Sequence, residues 1–337
     1  MPSGGKKQSA KTSGGRDIAE ATTSLDIIIV NWNTGQQLRD CLDSICAAGT
    51  DGLHLGRIVV VDNASSDGSA DELDDIPLPV TAIRNPENSG FAAACNQGAA
   101  GSSADYLLFL NPDTRLFQNS LSVPVTFMEK AENQRVGICG IQLVDDQGRV
   151  SRNCARFPTP TIIISFMLGL DILLPRWFPS HFMKEWDHGS NRDVDQVMGA
   201  FFLVRRKVFE AFDGFDERFF VYFEDVEFSF RARKEGWRSV YLCEAQAFHK
   251  GAGSSEQVKA KRLFYILRSR ILYGYKHFGF LAGTGLLLAT ILIEPVARLV
   301  WHITHRSVSE VMATLAGYVM LCIDIPRILK RALSRGV

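Results

Sequence analysis

At 337 residues, with 46% hydrophobic and 22% charged side chains, the chain has the composition of an ordinary globular protein with a substantial core, which excludes a wholly disordered polymer. The formal net charge of zero is unevenly spread: from Ser254 onward there are 12 Lys/Arg against 4 Asp/Glu, so the remainder carries a net −8. An acidic body without a basic stripe excludes a nucleic-acid binder, and the basic tail points to an anionic membrane surface.

The first 20 or so residues are rich in Gly, Ser and Lys and lack an apolar core segment, which predicts a disordered leader over 1–23 rather than a signal peptide, and so a cytoplasmic protein. The seven cysteines include no C-x-x-C pair, and their odd number argues against a disulfide framework. They read as mostly small buried residues in a reducing compartment.

Regular structure begins at Leu25. LDIIIV is a continuous β-branched run and predicts a strand buried on both faces. Residues 36–48 follow with helical spacing, then a second buried strand, RIVVVD, and a short helix over ADELDDI. VTAIRN predicts a third strand, and the small-residue run in PENSGFAAACNQGAA a close-packed helix. YLLFL is a fourth strand, with a helix around 118–133 after it. Strands alternating with helices predict a doubly wound, mostly parallel α/β sheet over roughly 24–140.

The second half is less regular. Strands are expected in GICGIQLV, VMGAFFLVRR and SVYLCEAQAFH, with a helix in FEDVEFSFRARKEG between the last two. Residues 161–182 are apolar and aromatic. The tail is basic at 259–276 and then has two apolar stretches, 277–293 and 311–323, neither reaching the 18 residues of a membrane span.

Ligands of such sheets bind beyond the carboxyl ends of the strands. Asn31, Asp62 with Asn63, and Asn111 with Asp113 all stand there. Asp62 in VDNASSDGS suits hydrogen bonding to a nucleobase or ribose, although the same residues favour an Asx turn or a helix cap. Asn111-Pro112-Asp113 suits a hard divalent cation whose shell a diphosphate completes, or equally a simple β-turn. Glu224 and Asp225 begin a helix, where a carboxylate is kept ionised as a general base requires, or merely complements the helix dipole. His249 gains a role only if folding brings it to Asp113.

Taken in order, IIIVNWNTGQQLRDCLDSI, VVVDNASSDGSADEL, RNPENSGFAAACNQG, YLLFLNPDT, GAFFLVRR through FDGFDERFFVYFEDVEFSFRARKEGW, and AFHKGAGSS resemble the family 2 glycosyltransferases, in particular their bacterial rhamnosyltransferase-like branch. The resemblance spans residues 25–254. It implies a GT-A fold over 24–253, with the nucleotide on the first half and the acceptor on the second. It further implies donor contacts from Asn31, Asp62, Asn63, Arg84, Asn88, Asn111 and Asp113. Mg²⁺ or Mn²⁺ would be held at Asp113, with His249 a further metal or diphosphate contact. Asp225 would be the base of an inverting displacement, and Glu224 would orient it or the acceptor. Where the family has D-x-D, this chain has Asn111 at the first position, which leaves Asp113 the surer ligand.

Residues 254–337 lie mostly outside the resemblance and predict a helical, membrane-associating region. Basic residues beside an apolar stretch suit a helix lying on the inner face of the plasma membrane, peripheral or monotopic, and 161–182 is placed to dip toward the same lipid. A polyprenyl-linked glycan is then the natural acceptor, as in cell-surface polysaccharide assembly. Two rivals stand beside this reading. A sugar nucleotidyltransferase needs a Gly-rich, basic phosphate loop after the first strand, where this chain has NWNTG. A non-catalytic nucleotide-sugar-binding relative keeps the fold without the chemistry.

Overall fold

The computed structural model describes residues 23–333 apart from 51, 72, 74 and 252–257. The expected leader, up to residue 22, and residues 252–255 of the AFHKGAGSS segment lie outside the described residues.

In chain order the elements are β1 (Thr23–Asn31), α1 (Gln36–Ala47), β2 (Leu53–Asp62), β3 (Val80–Arg84), α2 (Phe91–Ala99), β4 (Tyr106–Leu110), β5 (Thr114–Leu116), α3 (Ser122–Glu129), β6 (Val136–Val144), β7 (Val150–Ser151), β8 (Cys154–Ala155), α4 (Pro160–Met167), α5 (Leu170–Leu173), β9 (Arg192–Val194), β10 (Gln196–Val197), β11 (Phe201–Arg205), α6 (Arg206–Ala211), α7 (Glu224–Lys234), β12 (Arg238–His249), α8 (Lys259–Leu292), α9 (Glu294–Thr304) and α10 (Val308–Leu333). The main sheet runs β3-β2-β1-β4-β11-β6-β12-β5. Its first four strands are parallel, β11 is antiparallel to both neighbours, and β12 is parallel to β6. This is the mixed α/β, GT-A type of sheet, with helices packed on the carboxyl-terminal side of the chain.

Strand periodicity explains the two-sided core. Ile27 and Ile29 of β1 join Leu38, Cys41, Leu42 and Ile45 of α1 on one face, while Ile28 and Val30 join Ala92, Ala94 and Cys95 of α2 on the other. The small-residue run of α2 is a packing requirement: a Cβ on Gly98 would come within 2.6 Å of the Ile28 side chain. Four of the seven cysteines (41, 95, 139 and 154) are buried and all seven are free.

Two expectations are corrected. Among the described residues of 70–76 there are turns and bends instead of a helix. Arg84 reaches across to the Ala70 carbonyl at 2.8 Å and the Asp71 carboxylate at 3.0 Å, which ties this segment to β3 in an irregular path. The tail helices are also longer than the apolar stretches suggested. Lys259–Thr304 and Val308–Ala332 each contain an 18-residue window long and apolar enough to cross a membrane, with mean hydropathy 1.8 and 1.6. The interruption at Glu294 and Arg298 is closed by ion pairing, since buried Glu294 pairs with both buried Arg270 and half-buried Arg298.

Candidate active site

Register places the donor-side candidates in one row. β1 pairs Asn31 with Asp62, β2 pairs Asp62 with Arg84, and β4 ends opposite Ile29, so Asn111 follows directly on that edge. Strand order reverses between the neighbouring strands β1 and β4, and the crevice at their carboxyl ends is where open α/β sheets bind ligands.

Several of these side chains are committed to one another. Asn31, fully buried, donates to Asp62 Oδ1 at 2.8 Å and to Ser65 and Ser69 hydroxyls at 3.1 and 2.8 Å, and accepts from Thr34. Asp62 also accepts from the Ser65 hydroxyl at 2.5 Å. Asn63 donates to the Gly90 carbonyl at 3.1 Å and accepts from Asn85 at 2.9 Å and the Ser89 hydroxyl at 3.1 Å, so it braces the loop that carries Asn88. The Asn88 side chain accepts the Gly90 N–H at 2.9 Å, and Arg84 is held by Ala70 and Asp71. Asn31, Asp62 and Asn63 therefore shape this end of the crevice through buried hydrogen bonds, while Arg84, exposed, ties down the Ala70–Asp71 segment and Asn88 lies half-buried beside them.

The chemistry-bearing candidates come together through one short segment. The Asn111 N–H donates to the Ala200 carbonyl at 3.0 Å, and the adjacent Gly199 N–H donates to Asp225 Oδ2 at 2.9 Å. The entry to β11 thus touches both the NPD turn and the start of α7. Antiparallel pairing of β12 with β5 sets His249 opposite Thr114, and its Nε2 lies 3.3 Å from Asp113 Oδ1. The Lys250 N–H closes the same corner on the Asp113 carbonyl at 3.2 Å.

Asp225 is held as a helix-start carboxylate: Oδ1 accepts the Val226 N–H at 2.8 Å while Oδ2 takes Gly199. Burial nonetheless pushes its carboxyl upward, against the opposing pull of those N–H groups. Glu224 is only 5% exposed, one of its oxygens is buried without a protein partner, and burial followed by the Asp225 charge drives it well above the carboxylate range. The sequence reading of an ionised helix-start acid becomes a raised, interacting pair.

Among the described residues no three His, Cys, Asp or Glu side chains gather into a metal cluster. Asp113 and His249, with 11% and 18% of their side chains exposed, offer one oxygen and one nitrogen. That partial set fits a divalent cation whose remaining ligands are substrate phosphates, and the mixed pair suits Mn²⁺ better than the strictly oxygen-seeking Mg²⁺. Sequence reasoning missed Gly199, which gives the Asp225 carboxylate its second N–H. Only a glycine ahead of an apolar run marked it. It also missed Glu227, one turn further along α7, because a fully buried glutamate reads in sequence as helix-surface charge.

The Glycosyl transferase family 2 model matches residues 26–212, more than half of the chain. The chain belongs to glycosyl transferase family 2. Its chemistry is sugar transfer in glycan biosynthesis. The family 2 chain is 28% identical over 258 residues to the N-acetylglucosaminyl-diphospho-decaprenol L-rhamnosyltransferase of Mycobacterium tuberculosis (strain ATCC 25618 / H37Rv), a match covering 72% of this chain and 81% of that one. It is 29% identical over 172 residues to rhamnosyltransferase WbbL of Escherichia coli (strain K12), covering 50% and 61% respectively. Among solved structures, GalNAc-T7 with UDP, GalNAc and Mn²⁺ shares the fold, with a TM-score of 0.54 at 16% identity over 76% of this chain and 51% of that one.

Proposed function

We propose that the chain is an inverting, metal-dependent glycosyltransferase that moves a sugar, rhamnose being the favoured one, from a nucleotide-diphosphate sugar to a hydroxyl of a polyprenyl-diphosphate-linked glycan. The observation that carries this reading is the Gly199–Ala200 segment, which joins the NPD turn to the Asp225 carboxylate. The similarity to two rhamnosyltransferases, one named for a diphospho-decaprenol acceptor, supports the sugar and the acceptor class.

In this reading the crevice over Asn31, Asp62 and Asn88 receives the nucleotide, and the acceptor hydroxyl lies against Asp225. Asp225 takes the hydroxyl proton as the acceptor oxygen bonds to the anomeric carbon and the bond from that carbon to the diphosphate oxygen breaks. One displacement without an enzyme-linked sugar inverts the configuration. A raised carboxyl suits the task, because a base of higher pKa accepts a proton with more driving force. Asp113 and His249 would hold a divalent cation, which would supply Lewis-acid stabilisation to the diphosphate leaving group. Glu224 orients Asp225 or the acceptor from the buried side. The exposed apolar faces of α8, α9 and α10, with α5, support a site at the inner face of the plasma membrane, the surface from which such an acceptor would be presented.

The test is release of nucleoside diphosphate from a panel of nucleotide sugars in detergent, with and without Mn²⁺ or Mg²⁺. Metal-dependent release from one donor is expected. Asp225→Asn should lower kcat by about 10² to 10⁴ and Asp113→Ala should abolish the metal dependence. Tight donor binding with no turnover under any acceptor would instead mark a non-catalytic relative.

A further inference from the structure

Asp225 stands at the end of an unusual approach. Tyr222 and Phe223, the two residues before α7, both have left-handed backbones, with φ of 66° and 71°. Bulky side chains avoid this region at a cost of roughly 1–3 kcal/mol each, and such strain persists only where the surroundings over-determine it. The surroundings here come from the first half of α8, beyond the family match that ends at residue 212.

The contacts fall on both sides of the strained turn. Before it, the Ser269 hydroxyl donates to the Val221 carbonyl at 2.9 Å, and the Phe220 ring stacks on Tyr265 at 4.8 Å and 14°. After it, Glu227, fully buried on α7, accepts from Lys276 at 2.5 Å and contacts His277 Nε2 at 3.2 Å. Lys276 also reaches Asp216 at 2.6 Å, in the loop that leads into the turn. A polar anchor thus holds each end of the segment 216–227, with Asp225 between them.

This arrangement ends abruptly. Two residues past His277, Gly279 leaves helical geometry with φ 81° and ψ 173°. Beyond it α8 changes character: Phe280 and Leu281 are 57% and 86% exposed. The half before the kink faces the catalytic helix, and the half after it offers apolar side chains to the surroundings.

We propose that residues 259–277 of α8 are a clamp of the active site, with Lys276 and Ser269 as positioning residues that hold the strained Tyr222-Phe223 turn and thereby aim Asp225. This rests on the reading of Asp225 as the base. The clamp explains why a cation is kept at this half-buried position: Lys276 bridges two carboxylates that belong to different segments.

The full chain in detergent decides the matter with Lys276→Met, Lys276→Arg and the milder Ser269→Ala. Two readouts are taken, the split of kcat from donor KM and amide hydrogen exchange over 219–228. Lys276→Met is expected to lower kcat about 10²-fold, with donor KM within about threefold, because small misplacement of a reacting group costs about that much. Lys276→Arg should recover at least about tenfold of the loss. Exchange at 222–226 should quicken about tenfold or more in Lys276→Met and less in Ser269→Ala, with β1 and β4 unchanged. Exchange at 219–228 that stays at the wild-type rate in both variants overturns the clamp. So does a loss of activity that tracks only the folded fraction. A wild-type protein that turns over no donor would instead sink the reading of the reaction, and the exchange data would still decide whether α8 holds the turn.

Discussion

Burial pushes both carboxyls at the start of α7 upward, but their surroundings differ. Asp225 has two backbone N–H groups favouring its charged form, whereas Glu224 keeps a buried oxygen without a protein partner and feels the Asp225 charge. Asp225 is therefore the more readily ionised member of the pair, and Glu224 the one held toward its neutral form. Glu224→Gln imitates that neutral acid and should keep kcat within about tenfold, while Asp225→Asn loses about 10² to 10⁴. The acid limb of the kcat profile should sit above the ordinary aspartate value of about 3.9. Stability follows the same sign. A folded-state pKa raised above the unfolded one contributes stability below the ordinary glutamate value of about 4.3, and that stability is lost as pH climbs through the raised value. Glu224→Gln should thus melt about 2 °C or more above wild type near pH 8, with the gap closing toward pH 4. A variant that melts below wild type at both pH values, or one as inactive as Asp225→Asn, would reverse the assignment of neutral and charged partners.

The loop from β3 into α2 meets the approach to α7 at a single glycine. Gly90 has φ 92°, and a Cβ there would come within 2.5 Å of the Phe220 carbonyl and 2.8 Å of its ring, while the neighbouring Phe91 N–H donates to that carbonyl at 2.6 Å. Gly90→Ala should cost about 1–3 kcal/mol in chemical denaturation, from the left-handed backbone and the overlap together. It should also raise donor KM, since Asn88 and Ser89 stand beside it. Denaturation midpoints and initial rates at varied donor concentration check both. Close approaches of this kind explain which parts of the molecule could be read in advance. The strands 25–30, 57–62 and 106–110 and the flanking helices announce themselves through local runs and spacing, and the polar residues at their ends mark the crevice without further help. ADELDDI misled because its spacing is helical, while the deciding contacts come from Arg84 outside it. Glu227 and His277 lie 50 residues apart, and their meeting depends on how α8 comes to lie beside α7, which no local pattern encodes.

Three cations that make the tail basic in sequence are turned inward: Arg268 pairs with Asp324, Arg270 with Glu294, and Lys276 with Asp216 and Glu227. Lys261 and Arg262 at the start of α8, Arg306 between α9 and α10, and Arg327 and Arg331 near the end of α10 stay exposed. Most of the large side chains on the outward face are nonetheless apolar. Leu281, Leu292, Val296, Trp301 and Ile323 are each more than half exposed, and α5 with its following turn adds Leu173 at 73% and Trp177 at 80%. These two regions are packed together, because Ile163 and Met167 of α4 join Leu286 of α8 in one cluster. A surface of this size on a lone soluble molecule is unusual, and its Trp side chains suit the boundary between headgroups and acyl chains. Attraction to lipid should therefore be mainly apolar and only weakly screened. In flotation with vesicles that contain anionic lipid, raising salt from about 0.1 M to about 1 M, which shortens the screening length from about 10 Å to about 3 Å, should leave most of the protein bound. Trp177→Ser together with Leu281→Ser should weaken binding at least about tenfold, since burying each side chain contributes about 1.5–3 kcal/mol. The double variant should keep the rate of donor hydrolysis in detergent, because neither residue touches Asp225 or the clamp. Release by salt alone would return the binding to the basic residues. Loss of self-association in the double variant, with vesicle binding unchanged, would assign the apolar face to a second copy of the chain.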